Sequence, residues 1–435
     1  MSIATAETAA AAKPEIHFTF TPEGMDALAI AQLLNDQTKP EAPATLIHVA
    51  RDDRRLDALE RSLAFFAPKT RVVSLPAWET VPFDRIGPNS DVVARRMTAM
   101  ARLALRAGKE PMVLLTTVNA ILQRLPPRQF IRQAMRQIAP GQRIDMNRLM
   151  QRLQLGGYIR TGTVMEPGEF AVRGGILDLF PPGRVNPLRL DFFGDTLESI
   201  KTFDAQTQRT SKVVQKFVLL PISEVPHSED ATKLFRQNYV ELFGGTTGDD
   251  PLYEAVSAGQ RYPGMEHWLP LFHDSLETVV DYAGDHVSIT LDDMADDAVR
   301  QRLDLITEHY TARVESLETS TFGAPPYKPV PTDRMYLDEA EWQRCLGELD
   351  VGWFHPFDIP PPAATRSFNG EPGRNFAPER QANDGDLFGS VVGHLKAHLA
   401  QNRRTLVAAW TPGARERLIN LIKERGLQDI EKVDT

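Results

Sequence analysis

Thr19-Phe20-Thr21-Pro22-Glu23-Gly24-Met25-Asp26 is the first turn of this chain, joining a short β-rich run to an amphipathic helical one. Residues 17–21 before it read as a strand and residues 22–34 after it as a helix. The same grammar recurs as strand 45–50, helix 52–66 and strand 71–75. After a loop at 78–89, Asn89 and Ser90 cap a helix to about residue 107, and residues 112–117 form a strand that feeds a helix to 125. Strands separated by helices of this length are crossovers rather than hairpins. They predict an α/β fold around a parallel sheet with helices on both faces.

The turn also bears on chemistry. A nucleotide-driven P-loop motor carries GxxxxGK[ST] here, because backbone N–H groups wrap the phosphates and the Lys meets the terminal one. This turn has one Gly, no Lys and two carboxylates, Glu23 and Asp26, whose charge repels phosphate. The only other Gly-Lys, Gly108-Lys109, is followed by Glu110, so the pattern occurs nowhere in the sequence. In such motors an acidic pair that handles Mg²⁺ follows a buried strand, and Ile289-Thr290-Leu291-Asp292-Asp293 has that form. Without the loop, Asp292 and Asp293 read as a solvated helix start rather than a metal site. Leu337-Asp338-Glu339-Ala340 mimics a DEAD-type box, but its flanks read as a helix N-terminus.

A chain of 435 residues exceeds what one hydrophobic core supports, so several domains are expected. Apolar residues at 42% and charged ones at 25% are the balance of a globular protein that folds in water. No run approaches the roughly 20 apolar residues of a membrane span. The Ala-rich start lacks a basic leader and a Leu/Val-rich core, so a cytoplasmic chain with a loose tail at 1–14 is expected. A lone Cys345 forms no internal disulfide and no zinc-ligand spacing is read in the chain, so no structural metal is expected. The ten His residues suggest no catalytic grouping.

Net charge is −9, but unevenly spread. Between Arg124 and Lys216 there are 15 Lys/Arg against 8 Asp/Glu, a local +7 that leaves −16 on the rest. Within this basic stretch, residues 146–155 read as an Arg-rich amphipathic helix. Residues 164–173, 176–180, 187–193 and 196–204 read as antiparallel strands, with a hairpin turn at Phe193-Gly194-Asp195. Residues 223–350 read as helical and acidic around one buried strand, 287–291, which completes the first sheet. Pro-rich and Gly-rich loops then lead to a last α/β unit: helix 386–401, strand 405–410, and helix 412–425 capped by Thr411 and stopped by Gly426.

Two segments carry a resemblance to a known family. They are Leu75-Pro76-Ala77-Trp78-Glu79-Thr80-Val81-Pro82-Phe83-Asp84, continuing to Arg95-Arg96, and Gly157-Tyr158 with Gly168-Glu169-Phe170-Ala171-Val172-Arg173-Gly174-Gly175-Ile176-Leu177-Asp178-Leu179-Phe180-Pro181. Both closely resemble the amino-terminal part of bacterial transcription-repair coupling factors, and 264–272 fits too. That part of the family is similar to the excision-repair protein UvrB. The resemblance implies a degenerate motor domain in two pieces, 15–122 and 222–349, a UvrA-binding insert at 123–221 and a small domain at 350–435. It implies UvrA contacts at Arg160 and Arg173, for which a planar guanidinium suits interface carboxylates. Phe180 is the apolar anchor beside them, and a third arginine of UvrB-like modules falls at Ala171, so one contact is missing. The loop 78–89 is too short for the DNA-gripping hairpin of UvrB. The family's RNA polymerase and double-stranded DNA contacts, with ATP and Mg²⁺, are placed beyond Thr435, which makes the chain a piece of a larger polypeptide and leaves it no cofactor of its own. The alternative is a UvrB-like or helicase-type ATP-dependent DNA enzyme with a non-standard nucleotide site; a salt-sensitive DNA-binding module is a third reading.

Overall fold

The computed structural model describes residues 15–39, 44–106, 110–245, 250–318, 327–360, 364–381 and 386–433. The tail expected at 1–14 and the Gly108-Lys109 pair lie outside them. The chain forms two compact units, the larger ending at Gly370 and the smaller starting at Glu371.

In the larger unit the first four strands are β1 (Ile16–Thr19), β2 (Thr45–Ala50), β3 (Arg71–Leu75) and β4 (Met112–Thr117). The basic stretch contributes β5 (Arg136–Ile138), β6 (Ile159–Arg160), β7 (Glu169–Arg173) and β8 (Ile176–Leu179). It continues with β9 (Leu188–Phe193), β10 (Thr196–Phe203), β11 (Thr210–Val213) and β12 (Phe217–Leu219). Then come β13 (Val287–Leu291), β14 (Asp350–Phe354) and β15 (Ala364–Ser367).

One sheet has the order β15-β1-β14-β13-β2-β4-β3 and is parallel throughout. Strands β2 and β4 are buried along their whole length, and their residues divide by alternation between two cores. Leu46, Val113 and Leu115 pack with Leu34, Leu56 and Leu63 of helices Met25–Gln37 and Asp53–Phe66. Ile47, Val49 and Leu114 pack with Met97 and Met100 of helix Ser90–Ala104 and with Trp342 of helix Glu339–Glu348. Strand β13 sits between β2 and β14, so segments on both sides of the basic stretch build one sheet.

The basic stretch folds as an inserted module. Strands β5 and β12 pair at its base, and the sheet β11-β10-β9-β8-β7-β6 packs Phe170, Leu177, Leu188 and Leu190 against Leu149 and Leu153 of helix Met146–Leu155. The expected hairpin forms with Thr196 opposite Phe193, and Gly194 turns at φ 58°.

Several expectations are corrected. The strand read at 164–173 starts only at Glu169, because Gly168 sits at φ 90° and a Cβ there would lie 2.4 Å from Ile222 Cδ1. The additional edge strand β6 runs parallel to β7, so the sheet is not wholly antiparallel. The helix read to 125 ends at Ile121, ahead of Pro126-Pro127. Residue 350 is no boundary, since β14 and β15 extend the parallel sheet. No strand forms at 405–410: the described residues of the smaller unit hold helices only, with no second strand to share a hydrogen-bond ladder, so the unit is not α/β there. Its helices Leu387–Ala400 and Pro412–Glu424 do carry the expected caps, Asp386 and Thr411.

Candidate partner-binding site

The free edge of the inserted sheet brings two of the three sequence-read site residues to the surface. Arg160 and Arg173 lie on neighbouring strands and are both exposed. Arg160 stands level with Phe170, and Arg173 three residues further along, level with Ile176. That odd spacing sends the two side chains to opposite faces of the edge. Arg173 Nη2 donates to the Gly162 carbonyl (2.9 Å) and to Thr163 Oγ1 (3.2 Å), tying the loop before β7 to its end. Phe180 is different: it is buried with Val164, Ala171 and Phe203, a filler beneath the strands rather than a surface anchor. Ala171 lies in the same buried group.

Other residues around this edge have structural work. Tyr158 is buried and donates from its hydroxyl to the Leu220 carbonyl (2.8 Å), and Gly157 turns at φ 92° against Ser223 and Ile222. On the sheet face away from helix Met146–Leu155, Asp178 accepts two bonds from Arg189, at 2.7 Å from Nε and 2.9 Å from Nη2.

The run from Leu75 to Arg96 meets the insert's far end. Arg96 is fully buried and forks onto Glu224, Nε to Oε1 at 2.5 Å and Nη2 to Oε2 at 3.0 Å, while Nη1 reaches the Pro76 carbonyl at 2.9 Å. Trp78 Nε1 donates to Glu224 Oε1 (3.0 Å), and the Arg96 guanidinium lies 5.4 Å from the Trp78 ring centroid. One carboxylate thus pins the loop, the helix Ser90–Ala104 and the chain leaving the insert.

The turn after β1 is closed by its own side chains. Asp26 is buried, and its Oδ1 accepts from the Gly24 amide (3.0 Å) and the Ala27 amide (2.7 Å). Its Oδ2 accepts from Arg55, whose Nε and Nη2 also bond the two oxygens of Asp292 at 3.1 and 3.2 Å. Asp292 is therefore not a solvated helix start: it is buried at the end of β13 and paired. Burial alone would raise its pKa, but the Arg55 hydrogen bonds and the nearby His48 and Arg charges hold it below the usual carboxylate value. Next to it, burial pushes the fully enclosed His48 down to about 4, so the ring is neutral near pH 7. Asp338, by contrast, is the helix cap read from the sequence, with Glu341 closing a capping box.

Sequence reading missed Arg55, Arg96 and Glu224. The signal was present for the arginines: Arg55 falls on the buried stripe of Leu59 and Leu63, and Arg96 on that of Val93, Met97 and Met100. An Arg on an apolar stripe implies a buried acid to meet it. Also missed was the His-x-x-x-His spacing of His394 and His398 in the smaller unit.

Comparison with known proteins follows this layout. The model of the UvrB interaction domain matches residues 137–224, the insert from its first strand pair to Glu224. The chain is 34% identical over 260 residues to the transcription-repair-coupling factor of Haemophilus influenzae, covering 60% of this chain and 22% of that one. It is 37% identical over 202 residues to that of Escherichia coli, 46% of this chain and 17% of the other. For Rickettsia bellii the figures are 30% over 285 residues, 65% and 25%. The matches thus span about a quarter or less of these curated relatives. The chain is thus similar over about half to two thirds of its length to transcription-repair-coupling factors, and its insert matches the UvrB interaction domain.

Proposed function

We propose that this chain acts in transcription-coupled repair as a recruiting scaffold: its insert docks UvrA, and its parallel-sheet domain is a degenerate P-loop motor, in two pieces around the insert, that binds no nucleotide. The observation that carries the reading is the coincidence of the UvrB interaction domain with the basic module, whose free edge presents Arg160 and Arg173. Arg160 makes no hydrogen bond or ion pair among the described residues, so its fork is open to a partner carboxylate. Phe180 supports the edge from within. ATP and Mg²⁺, RNA polymerase and double-stranded DNA are assigned to the remaining length of the relatives.

The turn after β1 supports the non-catalytic half of the reading. In a working P-loop, amides are free for phosphate oxygens and a Lys supplies charge. Here the Gly24 and Ala27 amides are taken by Asp26, and the cation at the turn, Arg55, is shared between two buried carboxylates. A triphosphate does not fit beside that arrangement.

Binding to immobilised UvrA tests the first half. Arg160→Ala is expected to weaken it by about 2 kcal/mol, roughly 30-fold, as for a central interface Arg. Arg173→Ala should cost at least as much, because it also frees the 162–163 loop. Undiminished binding in both variants would remove the site. For the second half, Mg-ATP is expected to leave the melting temperature unchanged; a rise that saturates with ATP would restore the ATP-dependent enzyme reading.

A further inference from the structure

The smaller unit contains a pair of imidazoles that the role above does not use. His394 and His398 are one turn apart on helix Leu387–Ala400, so their side chains leave the same face. Their Nε2 atoms approach to 3.1 Å, with ring planes 85° apart and centroids 4.4 Å apart. Phe376 sits edge-on to His394 at 5.7 Å and backs the ring. Both histidines are half-exposed, so ions in solvent can reach them.

The geometry points to a two-point chelate for a late first-row divalent cation, Cu²⁺ or Zn²⁺, held by His394 Nε2 and His398 Nε2. Imidazole nitrogens sit about 2.0–2.1 Å from such an ion, which sets their separation at roughly 2.9 Å for a right-angled bite and roughly 3.3 Å for a tetrahedral one. The observed 3.1 Å lies between them. Both Nε2 atoms already converge, because in the free chain one Nε2–H donates to the lone pair of the other Nε2. Metal binding needs only that this proton move to Nδ1 of the same ring, leaving two neutral ligands and releasing no proton. Glu379 is engaged by Arg374. Among the described residues no third His, Cys, Asp or Glu completes a cluster, so the remaining positions are open to water or to a donor from another molecule.

The other close pair, His17 and His355, supplies the control. Those rings also bring two nitrogens together, His17 Nδ1 and His355 Nε2 at 2.9 Å, but they are stacked, with planes 27° and centroids 5.1 Å apart, and come from two separate segments rather than one helix face, so they are the competing pair that the variants separate. Calorimetric titration of the whole chain with CuCl₂ and with ZnCl₂ is expected to show one saturable site, tighter for Cu²⁺. Copper EPR should show two equatorial nitrogens. H398Q keeps the helix and removes one ligand, and should weaken binding at least about tenfold, since loss of even an outer-shell partner costs about 10–100-fold. H17Q should change nothing. No saturable binding, binding unaltered in H398Q, or binding lost in H17Q would each overturn the assignment.

Discussion

Arg96→Ala is expected to destabilise the larger unit by about 3–5 kcal/mol, because it leaves the Glu224 carboxylate buried without its counter-charge. Both partners are sealed from solvent, with side-chain exposures of 0% and 1%. The loss is not confined to the pair. Glu224 also holds Trp78 Nε1, and Arg96 holds the Pro76 carbonyl, so the loop at 76–78, the helix Ser90–Ala104 and the exit of the insert loosen together. Urea unfolding followed by tryptophan fluorescence reads this directly. A double variant, Arg96→Met with Glu224→Leu, should recover part of the loss, since it removes the unpaired buried charge but leaves Trp78 Nε1 and the Pro76 carbonyl without these partners. A single variant that loses under about 1 kcal/mol would show the pair to be solvated.

Arg55→Ala is the second large effect, again about 3–5 kcal/mol, and its pH dependence identifies the cause. The substitution leaves Asp26 and Asp292 as facing buried carboxylates. In the wild type, Asp292 titrates below its unfolded value, so its contribution is fully present above about pH 4 and is lost as pH falls through the folded value. In the variant, burial and the facing Asp26 carboxylate act on Asp292 without the Arg55 hydrogen bonds that offset them, and raise it instead. Its stability should therefore fall as pH rises above about 4, and the gap to wild type should widen from pH 4 to pH 7. His48 adds a slope in the wild type: its folded value of about 4 lies below the unfolded 6.5, so stability is lost as pH drops between them. A gap independent of pH would mean that packing, not charge, sets the cost.

These two arginines also mark where sequence reading stops. Hydrophobic period and caps are local, so strands such as Thr45–Ala50 and Met112–Thr117 and helices such as Met146–Leu155 were legible to the residue. So was the alternation of Leu188, Leu190 and Phe192 toward one core. Short edge strands were not: β6 has two residues and β11 is wholly exposed, and both exist only because a neighbour offers hydrogen bonds. The strand read at 405–410 shows the converse, a β-rich run with no partner strand among the described residues of its unit.

The sequence by itself determined the parallel α/β architecture, the basic insert and the absence of a GxxxxGK[ST] turn, because composition, periodicity and a motif need only neighbouring residues. Tertiary structure alone decided that Phe180 is buried filler and that Arg55 is shared by Asp292 and Asp26, 237 residues from the first and 29 from the second. It also decided that Glu224 gathers Trp78 and Arg96. A buried charge is defined by what the whole fold brings to it, and no local pattern carries that information.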